Sequence, residues 1–395
     1  MTCPEFTILV PTRNRSEHIG TTLIPLAHQT HRDYEIVVSD NSDPEHFERI
    51  DAVVASLKEM VDIRVVRPDN ILNMLDHWNF ALEHARGHHI GVVTDRMTLL
   101  PTTLDHVNLQ LKKGSRCVSF GLSTLKEDDG NFSLEHKVGE ICTETFQSLD
   151  ILKLFAKGNR IKSLPLLLNC FVERDILERM KREAGQVLLG IAPDYSFLFN
   201  YLGRYETYCH IHQAFRIDHA PHLSNGASFS HGKPNAASID FLARIMAEQK
   251  DILKLRPMPM EFTYIANILL SEYALAEQSI PGATFPPLDM AAIHRSCWRQ
   301  ALSTSVTGDT DHERSLKMLD QFRQQHGLPA PSFIDRLQMT YRKRRNLLKA
   351  RRRDARAIAR KPNGEITLDE TIMRGQKVLD FIQEIDSPVK DHHAT

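Results

Sequence analysis

Gly91-Val92-Val93-Thr94-Asp95-Arg96-Met97-Thr98-Leu99-Leu100-Pro101 is the stretch whose reading decides the fold. The β-branched run from Ile90 to Thr94 predicts a strand. An acid, Asp95, stands where that strand should end. A base follows, then an apolar run closed by Pro101. In open α/β sheets, ligands bind outside the carboxyl ends of the strands. Asp95 and Arg96 are therefore expected to face a ligand.

Toward the N-terminus the same alternation repeats. Phe6-Thr7-Ile8-Leu9-Val10 predicts a first strand buried on both faces, stopped by Pro11. Thr12-Arg13-Asn14-Arg15 reads as a polar turn, and Ser16 as the N-cap of a helix marked by Ile19, Leu23, Leu26 and Ala27. Glu35 to Ser39 is a second strand ending at Asp40-Asn41-Ser42-Asp43. Phe47, Ile50, Val54 and Leu57 mark a second helix, and Ile63 to Val66 a third strand closed by Arg67. Met74, Trp78, Leu82 and Ala85 form one helical stripe, with Gly87 as its stop. Strand and helix in alternation predict a parallel α/β sheet with right-handed crossovers.

Beyond Pro101 the pattern predicts a helix over Leu104 to Leu111 and a strand over Cys117 to Gly121. It then weakens to about Ile141, with Lys126 to Asn131 as a surface turn. Ile151 to Phe155, Asp175 to Lys181 and Tyr195 to Leu202 read as helices. Leu223 to Gly232 reads as a flexible loop near a site. After about Ser238 the chain turns helical, with a Pro/Gly linker at 280–287 and a basic helix at 342–361.

Composition narrows the function classes. The chain has 395 residues, 42% apolar and 25% charged, with a net charge of −1, so its global charge selects neither nucleic acid nor anionic surfaces. Six cysteines lie far apart without a C-x-x-C pair, which excludes a zinc knuckle or redox motif and fits a reducing compartment. The N-terminus lacks a signal-peptide pattern, and no apolar run nears the roughly 20 residues a bilayer span needs. A soluble, cytoplasmic protein is the expectation. The basic run reads first as a solvated helix whose charges pair with acids elsewhere; as a docking segment it would suit an anionic membrane surface better than nucleic acid, since it lacks aromatics for stacking bases.

Strand ends carrying Thr12-Arg13, Asp40 and Asp95 converge in this topology. A nucleotide across such an edge needs acceptors for base and ribose, and guanidinium groups for its phosphates. Asp40 and Asp95 suit the first need; Arg13, Arg15 and Arg96 suit the second.

Phe6 to Arg15, followed by Gln29-Thr30-His31-Arg32-Asp33-Tyr34-Glu35-Ile36-Val37-Val38-Ser39-Asp40-Asn41-Ser42, resembles the start of family 2 glycosyltransferases. Met74 to Gly87 is similar to that family's helix before its metal-site strand. The resemblance covers residues 5 to 105 well and is patchier to about 235. It implies an α/β GT-A fold (nucleotide-diphospho-sugar transferase): a Rossmann-like mixed sheet flanked by helices, over 1–235. A mostly helical C-terminal region, 236–395, follows. It implies sugar transfer from a nucleotide-sugar donor to an acceptor hydroxyl, with inversion, in glycan or polysaccharide synthesis on a glycan or lipid-linked acceptor.

By position, Asp40 resembles the residue holding the nucleotide base and Asp95 the first acid of the Asp-x-Asp region. Asp194 resembles the acid that takes the acceptor proton. Pro11, Thr12, Arg13, Arg15, Asn41, Asn79 and His231 complete the expected donor site. The family supplies further carboxylates after its first acid to hold Mn or Mg; here Arg96 and Met97 occupy those places. One carboxylate beside a guanidinium makes a poor cation site. The expectation is that Arg96 neutralises the leaving diphosphate, with a divalent cation at Asp95 as the alternative. The rival readings are a non-catalytic nucleotide-sugar-binding protein and a nucleotidyltransferase. The latter would need a glycine-rich loop after the first strand, and Pro11 to Arg15 contains no glycine.

Overall fold

A ten-stranded sheet forms the centre of the molecule. The computed structural model describes residues 3–386 apart from 129–130, 137–140, 160, 225–238, 242, 245–246, 248–254, 256, 260–264, 305–309, 334, 338–340 and 342–365. The first half of the sheet follows the predicted alternation. β1 (Phe6–Thr12), β2 (Tyr34–Asp40), β3 (Asp62–Val66) and β4 (His89–Val92) lie parallel in the order β3-β2-β1-β4. Helices α1 (Ile19–Leu26), α2 (Phe47–Leu57) and α3 (Met74–Glu83) make the crossovers. Every residue of β1 and β2 is buried, as continuous apolar strands covered on both faces must be. Burial of Ile8, Leu9 and Val10, all fully inaccessible, stabilises the fold by about 1.5–3 kcal/mol per side chain.

β1 has β2 on one side and β4 on the other, so the strand order reverses there. Such a switch point opens a crevice at the carboxyl ends. At the opposite ends Glu35 holds the sheet together. It accepts from Thr7 Oγ1 (2.6 Å), from the Arg86 backbone N–H (2.8 Å) and from the guanidinium of Arg64. Burial pushes this carboxyl up, but those hydrogen bonds outweigh it and hold it below the ordinary range.

The second half departs from the sequence expectations. Met97–Leu99, predicted as part of an apolar run, is a short strand, β5. After α4 (Thr103–Leu111), β6 runs from Cys117 to Asp128, through the stretch expected to be a turn, and forms a hairpin with β7 (Asn131–Leu134). β8 (Thr143–Gln147), α5 (Ser148–Ala156), β9 (Cys170–Glu173), α6 (Arg174–Ala184), α7 (Pro193–Leu202) and β10 (Thr207–Asp218) follow. β9 pairs antiparallel with both β4 and β6 and so joins the two halves. β10 lies parallel to β6; its other edge is shared by β8 and β5, both antiparallel. Ser16 is not an N-cap. It sits inside a short 3-10 turn, Ser16–His18, and its hydroxyl lies 3.0 Å from His46 Nδ1.

Helices from beyond residue 236 pack directly on this body. The helix Ile265–Ser279 lies along α7, and its Tyr273 and Ala276 join the main core. The helix Leu368–Asp386 crosses α1 with Gly375 against Gly20. A Cβ at Gly375 would come within 2.5 Å of the Gly20 carbonyl oxygen. Its last residue, Asp386, accepts from the backbone N–H (2.8 Å) and the hydroxyl (2.9 Å) of Thr102 ahead of α4. A second, smaller core gathers Met258, Leu270, Ile293, Cys297, Ala301 and Leu319. Among the described residues no helix is long and apolar enough to cross a membrane.

Candidate functional site

The turn between β4 and β5 carries Asp95 and Arg96 across the switch point. Asp95 is 1% exposed. Its Oδ2 accepts from Thr12 Oγ1 at the end of β1 (2.8 Å), and its Oδ1 from the Arg15 guanidinium (3.1 Å). Arg15 also donates to the Leu223 carbonyl (2.9 Å), tying in the segment after β10. The loop between β1 and α1 is fixed by Asn14, whose φ of 53° lies in the left-handed region that asparagine tolerates better than most residues. Asn14 exchanges hydrogen bonds with Asp43, and its backbone N–H donates to Ser42 Oγ. The Thr-Arg-Asn-Arg turn and the Asp40 loop are thus one rigid unit.

Asp40 is buried at the end of β2. It accepts from the Ser42 backbone N–H (3.0 Å) and from Arg67 Nε (2.9 Å). Arg67, read from sequence only as a strand stop, also pairs with Asp51 and lies 4.1 Å over the Phe47 ring. Asn41 and Asn79, two expected donor contacts, have both ends of their amides on backbone. Asn41 clasps Leu72 (2.8 and 2.9 Å), and Asn79 clasps Leu188 (3.0 Å in both directions). Pro11 is buried inside β1. Arg13 reaches outward to Asp240 (3.3 Å). His231 lies outside the described residues.

Arg96 stands on the inner side of this crevice. Its carbonyl accepts from the backbone N–H groups of His219 (3.0 Å) and Ala220 (3.2 Å), so the end of β10 holds the turn in place. Its guanidinium is half-buried, and among the described residues no hydrogen bond or ion pair ends on it. Burial lowers its proton affinity most. The charge of Asp218 opposes this, Arg216 adds to it, and Asp95 lies close enough to be felt. Met97 is 1% exposed and belongs to the core.

Arg216 and Asp218, on a strand that the sequence reading missed, form a buried bidentate pair (2.9 and 3.1 Å) beside Arg96. Phe215 and Ile217 alternate with them. That period-2 signal was available, but the many buried polar residues of β10 masked it.

Asp194 is the second residue of α7, after Pro193, and its Oδ1 accepts from the Tyr195 backbone N–H (3.1 Å). Burial raises its pKa above the ordinary carboxylate value. The Tyr195 N–H and the charges of Arg96 and Arg216 pull it partly back. Asp194 thus lies within electrostatic reach of Arg96 and Arg216. A raised carboxylate at a helix N-terminus is both rigidly held and a better proton acceptor.

Among the described residues, those around Asp95 do not fit a divalent cation. Its Oδ1 faces the Arg15 guanidinium, whose positive charge opposes a second cation beside it. Among the described residues no group of three or more His, Cys, Asp or Glu side chains is placed to hold a metal ion. Oxygen-ligand cations require several such donors.

Residues 7–149 match the family profile described as glycosyl transferase family 2. No curated protein matches the chain. Among solved structures, S. aureus TarS is 14% identical, with 80% of this chain and 55% of that chain covered and a TM-score of 0.44. TarS 1-349 in complex with UDP-GlcNAc is 13% identical over 83% of this chain and 93% of that one, with a TM-score of 0.43. The mannosyltransferase PcManGT from Pyrobaculum calidifontis, in complex with GDP-Man and Mn2+, is 13% identical over 88% of each chain, also with a TM-score of 0.43. These structural likenesses are loose. The chain spans 55% of the length of the longer TarS chain. The family match includes Thr12, Asp40, Asp95 and Arg96 and ends before Asp194, Arg216 and Asp218.

Proposed function

We propose that this GT-A chain, whose residues 7–149 match the glycosyl transferase family 2 profile, transfers a sugar from a nucleotide-sugar donor to an acceptor hydroxyl, with inversion. The observation that carries the reading is the nearness of Arg96 to Asp194. Arg96 is a half-buried guanidinium at the switch point on which, among the described residues, no hydrogen bond or ion pair ends, and it lies within electrostatic reach of a carboxylate raised above its ordinary range.

Asp194 takes the proton of the acceptor hydroxyl. The acceptor oxygen forms its bond to the anomeric carbon from the face opposite the donor phosphate. The bond from that carbon to the diphosphate breaks, and the diphosphate leaves with the electron pair. Arg96, with Arg13 and Arg15 at the mouth of the crevice, meets the charge as it develops. Guanidinium groups suit this role because their rigid fork matches phosphate oxygens. Asp40 and Asp95 orient the nucleoside. Each carboxylate oxygen that already accepts one hydrogen bond keeps a lone pair for another. In this reading the transfer needs no divalent cation.

The test is a thermal-shift panel of nucleotide-sugars, including UDP-N-acetylglucosamine and GDP-mannose, with EDTA and with Mn2+. A shift with one donor together with slow release of its nucleoside diphosphate supports the transferase. A shift without release under any condition favours a non-catalytic binder, and no shift with any donor contradicts both.

The acceptor is proposed as a glycan or lipid-linked hydroxyl, in polysaccharide synthesis at the inner face of a membrane. Support comes from Phe333, Leu337 and Tyr341, spaced four apart and exposed to 75, 54 and 70%. They directly precede the segment 342–361, whose structure lies outside the described residues and whose sequence carries 11 Lys and Arg against one acid, Asp354. Apolar anchors beside a polybasic segment suit anionic lipid. The cysteines at 3, 117, 142, 170, 209 and 297 are free, which fits a reducing compartment. Co-sedimentation with phosphatidylglycerol vesicles but not phosphatidylcholine vesicles is expected; equal behaviour with both would refute the contact.

A further inference from the structure

Asp194 is preceded by a loop in which five consecutive backbone N–H groups are captured by side chains. Asn79 Oδ1 accepts from Leu188 (3.0 Å). Ser196 Oγ accepts from Leu189 (2.9 Å) and Gly190 (3.1 Å). Glu272 Oε1 accepts from Ile191 (2.7 Å) and Ala192 (2.9 Å). Two of the three captors belong to the sheet-bearing body: Asn79 on α3 and Ser196 on α7. The third, Glu272, comes from the helix Ile265–Ser279, far beyond the family-matched segment.

Glu272 is an unusual occupant of its place. It is 1% exposed, and among the described residues its second oxygen, Oε2, is buried without a hydrogen-bond partner. That oxygen lies directly over Gly190, where a Cβ would stand 1.6 Å from it. An acid buried at this cost needs a compensating function, since an orphaned polar atom forfeits about 1–3 kcal/mol. A leucine here would fill the same space without that loss, but could not accept from Ile191 and Ala192.

We propose that Glu272 is the positioning residue for Asp194: by clamping the last two loop amides it sets the entry of α7, and so places the Asp194 carboxylate for the acceptor. The proposal rests on Asp194 taking the acceptor proton. It gives the helical C-terminal region a part in the reaction, because the loop before the base is incomplete without Glu272. The Asp194 charge is felt at Glu272, and burial, with that charge, pushes the Glu272 carboxyl up to about 8. Near neutral pH the clamp is therefore mostly the neutral acid. It adds little negative charge beside Asp194, while its carbonyl-type oxygen still accepts both N–H bonds.

The test uses the full chain and donor hydrolysis, with water standing in for the acceptor and UDP-N-acetylglucosamine and GDP-mannose as probes. Hydrogen–deuterium exchange is followed across residues 188–196. Glu272→Gln keeps an acceptor oxygen and a neutral group, and is expected to retain the wild-type exchange rate and kcat within about threefold. Glu272→Ala removes the acceptor; exchange at Ile191 and Ala192 should accelerate, and kcat should fall by up to about 10²-fold, as misplacement of a reacting group can cost. The donor KM should stay within about twofold, because the contact acts on the chemical step. Gly190→Ala, which drives a methyl into Glu272 Oε2, should reproduce the Ala variant even if Glu272→Ala fails to fold.

Unchanged exchange and kcat in both Glu272→Ala and Gly190→Ala would overturn the proposal. So would a Gln variant as impaired as the Ala variant, or a loss that falls on donor KM instead of kcat. Asp194→Asn separates this from the underlying reading. If that variant still turns over, the assignment of Asp194 fails. If it is dead while Glu272→Ala is fully active, only the positioning role fails.

Discussion

The two sides of the crevice are built on opposite principles. On the side of Thr12, Asp40 and Asp95, every buried carboxylate is paired: Asp95 with Thr12 and Arg15, Asp40 with Ser42 and Arg67. On the side of Arg96, Asp194 and Glu272, groups are left chemically open. Among the described residues Arg96 carries no ion pair and one Glu272 oxygen finds no hydrogen-bond partner, while Asp194 is raised by burial. The first side is suited to holding a ligand in one pose. The second holds the groups that gain most from a charge arriving or leaving. Perturbed titratable groups gather where chemistry is done, so the comparison supports the proposal that binding belongs to one side and reaction to the other.

The sharpest way to break that division is Asp194→Asn. If reaction belongs to the second side, kcat should fall by about 10²–10⁴-fold while donor affinity, read by calorimetry, stays nearly constant. The acid limb of wild-type kcat/KM should also lie above the ordinary carboxylate range, because the deprotonated base is the active form and burial raises its pKa. Affinity and turnover falling together would erase the distinction.

Asp95→Asn probes the other side. It leaves the partly buried Arg15 guanidinium without its counter-charge, and should destabilise folding by about 3 kcal/mol in urea titrations. A loss of turnover with unchanged stability would show that Asp95 is not the structural anchor described here.

A smaller effect should appear in the pH dependence of stability. Glu272 ordinarily titrates near 4.5, and in the folded chain near 8. Between those values the folded chain holds a proton that the unfolded chain has released. Stability therefore falls as pH rises from about 4.5 to about 8 and levels off above. Glu272→Gln carries no such proton. Its Tm relative to wild type should climb across that window, and a constant offset would contradict the burial of a titrating acid there.

The two sides also differ in how far they could be read from sequence. The first was legible because regular strand–helix alternation places its polar residues at strand ends: Thr12, Asp40 and Asp95 all fall where periodicity stops. What periodicity could not show was how they are used. Asn41 and Asn79, expected to touch the donor, brace backbone at Leu72 and Leu188. The second side was legible only at Asp194 and Arg96. Its strand β10 buries His210, Gln213, Arg216 and Asp218, so the apolar rhythm of a central strand is broken by polar groups satisfied only in three dimensions. Glu272 is a lone acid among Leu269, Leu270, Tyr273 and Ala274. It reads as a helix position of no consequence until the fold brings it to Ile191 and Ala192. Contacts between segments 80 or more residues apart leave no local trace in a sequence.

The claim on which both sides depend is that guanidinium groups, and not a metal ion, meet the diphosphate. It is tested most directly by measuring donor turnover in EDTA against turnover in Mn2+, for the wild-type chain and for Arg96→Gln. Wild-type turnover should be undiminished by EDTA, and Arg96→Gln should lose about 10²–10³-fold, a loss that Mn2+ does not restore. Turnover abolished by EDTA and recovered with Mn2+, with Arg96→Gln behaving as wild type, would contradict that claim.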